Sequence, residues 1–268
     1  MPESGKRAGT FLKKFVAKLK FSNRKSCGLV PTQVQILSPA LNFRTLLIRK
    51  LCKLLKHYSG MKYNPCLPKE WNEDLAYIFG LLLGDGSLPC SYTKRPNGEY
   101  QKRHIIHFFS KDRDFIYKVY LPLFKKLFNL TPVVKVRKRD SILYYATIES
   151  KILYTFLRDK GFTIGRKAKI AKIPNLPSIY HLDLLAGLLD TDGGKKGNGF
   201  GLSTASKYLA EFCENIFKNL KLPYNSCPWK YRDHIYHQVY VPGKKMYKLL
   251  EHIPLKNKGK ISFLKYKC

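Results

Sequence analysis

Two apolar stretches that each run into Asp-Gly constrain this chain more than any other feature. They are Ile78-Phe79-Gly80-Leu81-Leu82-Leu83-Gly84-Asp85-Gly86 and Leu185-Ala186-Gly187-Leu188-Leu189-Asp190-Thr191-Asp192-Gly193. Runs of this kind suit buried helices, over 75–83 and 182–189, which Asp-Gly then ends. Gly80 and Gly84 lie four apart on one face, and Ala186 and Gly187 serve the same end in the second stretch, so two such helices can bring their backbones close. Each helix then finishes on a carboxylate, Asp85 or Asp192, at the end where the backbone already carries partial negative charge. Placed side by side, the two acids destabilise each other further. Asp-Gly alone is a common helix-to-strand turn. A local rule broken twice in the same way points instead to function. The remedy is a divalent cation held by the Asp85 and Asp192 carboxylates and by backbone carbonyls, those of Gly84 and Thr191.

The region from Trp71 onward reads as doubled. Adding 93 to Ser110, Phe124, Lys125, Leu127, Arg139, Asp140, Ile142, Lys151 and Tyr154 lands on Ser203, Phe217, Lys218, Leu220, Arg232, Asp233, Ile235, Lys244 and Tyr247, each an identity. Each copy has the same order of elements: the Asp-Gly helix, a hairpin, a helix (112–128 or 206–220), a second hairpin and a short closing helix (151–160 or 244–252). The first hairpin of the first copy turns at Pro96-Asn97-Gly98. The second hairpins turn at Arg139-Asp140-Ser141 and Arg232-Asp233-His234. The expectation is an α+β chain of tandem αββαββα repeats related by a pseudo-twofold axis. The first repeat lies within 61–160, a Pro174- and Pro177-containing linker occupies 161–179, and the second repeat fills 180–268. The acids lie 107 apart although the repeat offset is 93, so the first copy carries 14 extra residues, assigned to its first hairpin.

Charge narrows the partner. Fifty Lys and Arg against 18 Asp and Glu give +32, which favours a polyanion, nucleic acid above all. Residues 1–60 hold 13 of the cations and one acid, so the remaining +20 belongs to the repeats. That leader is read as a basic extension, disordered or partly helical, either solvated or an extra nucleic-acid or membrane-surface arm, and Met61 as the candidate native start. No apolar run reaches the roughly 18 residues of a membrane span, and no secretory h-region opens the chain. The seven cysteines are scattered without a CxxC pair, which speaks against a structural zinc site or a disulfide framework. An intracellular protein, in a prokaryotic cytoplasm or an organelle, is expected.

In 134–139, Lys135, Arg137 and Arg139 alternate with Val134, Val136 and Lys138, which in a strand puts three cations on one face. Lys230 and Arg232 alternate with Trp229 and Tyr231 in the second copy, and Lys94, Arg95, Lys102 and Arg103 load the long first hairpin. Such faces supply phosphate contacts and base-edge readout in a DNA groove. His104 with His107, and His234 with His237, are three apart on strands and point to opposite faces, so they are not read as metal pairs.

These residues together resemble the LAGLIDADG homing endonucleases of the single-chain, two-motif type, from about Trp71 to the C-terminus. The two nine-residue stretches match the motif that names the family. In the first, Leu83 and Gly84 stand where the consensus has Asp-Ala. The resemblance implies two antiparallel sheets forming a saddle that grips double-stranded DNA, a pseudo-symmetric monomer, and magnesium at Asp85 and Asp192 driving cleavage of both strands. It also implies polar or lysine groups near each metal, for which Lys111 and Lys195 are the candidates and Ser110 and Thr204 weaker ones. An RNA-binding intron maturase on the same scaffold is the alternative. A regulator that has lost its acids is disfavoured because both acids are kept, and an intein because no His-Asn terminus is present.

Overall fold

The computed structural model describes residues 65–138 and 141–266. The basic leader, Arg139 and Asp140 lie outside the described residues, as do Lys267 and Cys268. The first copy runs α1 (Glu73–Asp85), β1 (Gly86–Ser87), β2 (Ser91–Lys94), β3 (Tyr100–Arg103), β4 (Ile105–Ser110), α2 (Arg113–Phe115), a π-helical turn (Ile116–Tyr120), α3 (Leu121–Phe128), β5 (Val133–Lys138), β6 (Ile142–Glu149) and α4 (Lys151–Asp159). The second enters through a 3-10 turn (Ser178–Tyr180). It continues with α5 (His181–Asp192), β7 (Gly193–Lys196), β8 (Gly199–Thr204), α6 (Lys207–Asn219), β9 (Asn225–Tyr231), β10 (His234–Val241), a 3-10 turn (Gly243–Lys248), α7 (Leu249–His252) and α8 (Lys258–Tyr266). Among the described residues no helix is long and apolar enough to cross a membrane.

Two antiparallel four-stranded sheets result, ordered β1-β4-β6-β5 and β7-β8-β10-β9, and they form the two halves of a saddle. β1 and β7 follow α1 and α5 without a loop, so each Asp-Gly step delivers the chain from a helix end straight into a sheet. α1 starts where Asn72 Oδ1 accepts the Leu75 N–H at 2.9 Å, with Glu73 and Asp74 in the positive first turn.

The 14 extra residues of the first copy go to two places. Ser110 Oγ accepts the Asp112 N–H, and Asp112 caps the following helix through the Phe115 N–H. The same bonds recur at Thr204, Ser206 and Leu209, an offset of 94. The structural partner of Ser110 is therefore Thr204, and its identity with Ser203 at offset 93 is a coincidence of register. Asp85 precedes Ser110 by 25 residues and Asp192 precedes Thr204 by 12. Thirteen of the extra residues thus form the β2–β3 ribbon, which pairs only with itself and stands outside the main sheet. The fourteenth is absorbed by the π-helical turn, which accommodates one added residue without breaking the helix. After that turn the offset returns to 93: Tyr120 and Phe124 are buried, as are Cys213 and Phe217.

Alternation along the strands divides each sheet into two faces. Ile106, Phe108 and Ala146 in the first sheet and Leu202, Val239 and Val241 in the second are buried in the core, with Phe108 stacked on Tyr120 at 4.2 Å. By register, the opposite, open face of the first sheet carries His107, Phe109, Lys135, Arg137, Tyr145 and Thr147. That of the second carries Ser203, Trp229, Tyr231, Tyr236, Gln238 and Tyr240. The short closing helix expected over 244–252 is mostly 3-10, and α8 beyond it was not anticipated.

Candidate active site

The site begins with the packing of α1 on α5. A methyl group on Gly80 would overlap the Leu184 carbonyl oxygen and lie 2.9 Å from Leu188 N and 3.0 Å from Gly187 Cα. One on Gly187 would overlap the Tyr77 carbonyl and lie 2.8 Å from Leu81 N. The helices therefore touch backbone to backbone, as the glycine spacing implies. Opposite Gly84 stands Thr191, whose Cβ would be 2.7 Å from an added methyl, with Asp192 Cγ at 3.3 Å. Ala186 is buried, but Thr191 rather than Ala186 takes the position facing Gly84.

This contact brings the two motif acids into one electrostatic unit. Asp192 is pushed up to about 6, first by burial and then by the charge of Asp85. Burial also raises Asp85. Two lysines that the sequence reading did not single out oppose these shifts. Lys167 Nζ donates to the carbonyls of Leu82 at 2.9 Å, Gly84 at 2.5 Å and Leu83, which occupies all three ammonium hydrogens at the C-terminus of α1. Lys260 Nζ, from α8, donates to Leu189 O at 2.7 Å and Thr191 O at 2.8 Å at the end of α5. Burial lowers both lysines to about 8, against the opposing pull of the acids. Both lysines act on both acids. By contact each stays on one helix end, Lys167 on that of α1 and Lys260 on that of α5. Lys167 and Lys260 are 93 residues apart, so the repeat offset held the signal that finds them.

The lysines expected from the sequence are placed differently. Lys195 pairs with Phe200 on the core side of β7 and is exposed. Its neighbour Lys196, on the open side, acts on Asp192 alongside Lys167 and Lys260, and burial lowers its pKa. Lys111 follows β4 and is exposed, and the lysines that act on Asp85 are Lys260 and Lys167. The Gly84 and Thr191 carbonyls, offered as metal ligands, accept Lys167 and Lys260, and each keeps its second lone pair. Beside Asp192 opens a cleft of about 280 Å³ lined by Lys167, Asp192, Ser203, Thr204 and Tyr236 among others. Ser203 Oγ is buried there without a hydrogen-bond partner.

The saddle faces depart from the expected symmetry. Lys135 and Arg137 do lie on the open side of the first sheet, opposite Tyr145 and Leu143. Val134 packs on the core, whereas Val136 on the same side is half exposed. In the second sheet the cations and aromatics exchange faces. Lys230 pairs with Ile235 on the core side, while Trp229 and Tyr231 occupy the open side, 39% and 51% exposed. Trp229 stacks on Tyr236 at 5.2 Å. Arg232 sits in the turn with its guanidinium 5.4 Å from the Tyr231 ring centre. On the β2–β3 ribbon, Lys94 and Lys102 share a face with the exposed Tyr92 and Tyr100. Arg103, on the other face, forks onto Glu149, with its Nε 2.5 Å from Oε1, and Arg95 bonds Gln101 and Glu99.

The donor set fits a hard divalent cation: two carboxylates and backbone oxygens, which leave positions for water and phosphate. Among the described residues no cluster of three or more His, Cys, Asp or Glu is present, so a cation at the two acids would complete its shell with backbone oxygens, water or phosphate.

No family model matches the chain. Residues of the chain are 28% identical over 150 positions to an uncharacterized protein, MJ0398, of Methanocaldococcus jannaschii, covering 55% of this chain. The chain spans about half the length of that curated relative, 48%. Among solved structures, that of I-DmoI in complex with DNA and Ca is similar with a TM-score of 0.53 at 17% identity, over 72% of this chain and 97% of that one. The meganuclease I-SmaMI bound to uncleaveable DNA gives a TM-score of 0.50 at 13% identity, over 76% and 89%. The chain has the fold of the single-chain, two-motif LAGLIDADG homing endonucleases.

Proposed function

We propose that this chain is a site-specific double-strand DNA endonuclease, a homing endonuclease that works as a monomer inside the cell on a long, asymmetric target. One observation carries the proposal: two partly buried carboxylates, each at the wrong end of a helix and destabilising the other, share the base of a two-sheet saddle with two partly buried lysines. Removing that arrangement's cost requires a cation between the acids. Asp85 and Asp192, with the free lone pairs of the Gly84 and Thr191 carbonyls, would hold magnesium or a similar divalent ion. The ion would supply a metal-activated water for phosphodiester hydrolysis and charge on the leaving oxygen.

The protein's own groups do the rest. Lys167 and Lys260 offset the partial negative charge of the helix ends and present positive charge where a phosphate accumulates negative charge in the transition state. Because the Lys167 ammonium spends every hydrogen on carbonyls, it acts as a fixed cation rather than as a base. Lys135 and Arg137 on the open face, and Lys94 and Lys102 on the ribbon, supply phosphate contacts. The ribbon exists in the first copy alone, so that half contacts the longer stretch of DNA.

The test is selection of a bound sequence from a randomised duplex library in Ca²⁺, followed by cleavage of that duplex in Mg²⁺. Wild type should linearise a plasmid carrying it, and Asp85→Asn or Asp192→Asn should bind the duplex yet leave it uncut. Unchanged cutting by either variant would overturn the assignment. The exposed aromatics Trp229, Tyr231, Tyr92 and Tyr100 favour a second reading, an intron maturase that stacks unpaired RNA bases. Tight binding of structured intron RNA without cleavage of any selected duplex would support that reading instead.

A further inference from the structure

The two copies differ two residues before their acids: the position of Leu83 in α1 is held by Asp190 in α5. Asp190 is 3% exposed, and its Oδ1 has no hydrogen-bond partner. Its Oδ2 accepts the Tyr77 O–H at 2.5 Å and the Lys256 N–H at 2.7 Å. Its main-chain oxygen accepts Asn257 Nδ2 at 3.5 Å. Asn257 Oδ1 in turn accepts the N–H groups of Gly259 at 3.0 Å and Lys260 at 3.3 Å, which caps α8. Lys256 Nζ lies 4.3 Å from the Tyr77 ring centre and 3.6 Å from Asp74 Oδ1. Residues 256–260 are thereby fastened to both central helices through one buried carboxylate, and Lys260 is the side chain this segment delivers. The Lys167 segment is held by other means: the Gly165 N–H donates to Leu88 O at 2.9 Å, and Ser206 Oγ donates to Ala171 O at 2.6 Å.

We infer that Asp190 is a positioning residue that seats Lys260 beside the acids, and that this makes the two cleavage centres unequal. The inference rests on the endonuclease reading. A buried carboxylate with an unsatisfied oxygen is a cost the first copy avoids by using leucine, and such local costs are kept where they serve a site. Lys260 Nζ holds the carbonyls of Leu189 and Thr191 at the end of α5, whereas Lys167 holds the carbonyls at the end of α1. Loosening residues 256–260 therefore disturbs the α5 side, which carries Asp192, and leaves the Lys167 contacts in place.

Strand-resolved, single-turnover cleavage of the selected duplex tests this with Asp190→Leu, Asp190→Asn, Tyr77→Phe and Lys260→Met. Asp190→Leu, which installs the residue of the first copy, should slow one strand roughly tenfold or more, so that nicked plasmid accumulates. Lys260→Met should slow the same strand. Asp190→Asn keeps an acceptor for the Lys256 N–H and should stay within about threefold of wild type on both strands. Equal slowing of both strands by a folded Asp190→Leu protein, or wild-type rates on both, would overturn the inference. If Asp190→Leu does not fold, Tyr77→Phe decides the matter: a strand bias matching that of Lys260→Met supports it, and equal strand rates refute it. Failure of wild type to cut any selected duplex would instead remove the endonuclease reading on which the inference stands.

Discussion

Replacing Gly80 with alanine separates this account from ordinary helix arithmetic. In an exposed helix interior the change would stabilise by about 1 kcal/mol, because alanine is the better helix former. At Gly80 the new methyl meets the Leu184 carbonyl oxygen, Leu188 N at 2.9 Å and Gly187 Cα at 3.0 Å. All three are backbone atoms of the partner helix and cannot rotate away, so α1 and α5 must part by about an ångström to restore contact distances. Overpacking of this kind costs about 1–3 kcal/mol in side-chain-lined cores, and the rigid surroundings here put it at about 3 kcal/mol. The net is about 2 kcal/mol of destabilisation, or a fall of about 4–8 °C in Tm for a domain of this size. Calorimetry on Gly80→Ala measures it. Gly194→Ala is the control, since an added methyl there meets nothing within 4 Å, and its Tm should hold. A Gly80→Ala protein as stable as wild type, or more so, would refute the backbone-to-backbone contact that holds the acids together.

The pH dependence of cation binding follows from Asp192. Its folded value of about 6 lies above the usual 3.8, so the cation-free fold retains a proton that the unfolded chain has lost. The contribution of Asp192 to stability without metal is therefore fully present below about pH 4 and is lost as pH rises through about 6. Added Ca²⁺ should accordingly raise Tm at pH 7 and leave it unchanged at pH 4, a contrast that thermal melts read directly. Lys167→Met and Lys260→Met should each lower single-turnover cleavage by about 10²–10³ with duplex binding retained. Wild-type activity should also decline above about pH 8, where both lysines lose their protons, as a pH–rate profile shows. Lys135→Ala and Arg137→Ala should each reduce the slope of log affinity against log salt by about 1. Trp229→Ala should weaken binding with that slope unchanged, since it removes contact area and no charge.

What could be read in advance was whatever depends on period and repetition. The helices over 75–83 and 182–189, the repeat and the central acids follow from apolar runs and a constant offset, which need no knowledge of neighbours. Register is a different matter. Lys195 and Lys196 are the same residue type, and only the pairing of Gly193 with Leu202 decides that Lys196 faces the acid. The same one-residue question turned Lys230 toward the core side and Trp229 toward the saddle, because a strand of all-exposed residues such as β9 has no buried alternation to announce its faces. Lys167 and Lys260 were hidden for another reason. With 50 cations in the chain, their role depends on the carbonyls they reach across 83 or more and 69 or more residues of sequence. Asp190 shows the limit most plainly: one letter within a motif, it owes its meaning to a tyrosine 113 residues away.

The two lysines that close the central helices come from segments that follow each motif far along the chain, Lys167 reaching the end of α1 and Lys260 the end of α5. Losing a single residue from either stretch would pull its ammonium out of reach while both motifs stayed intact. Length there is therefore constrained as tightly as letters are in the motifs.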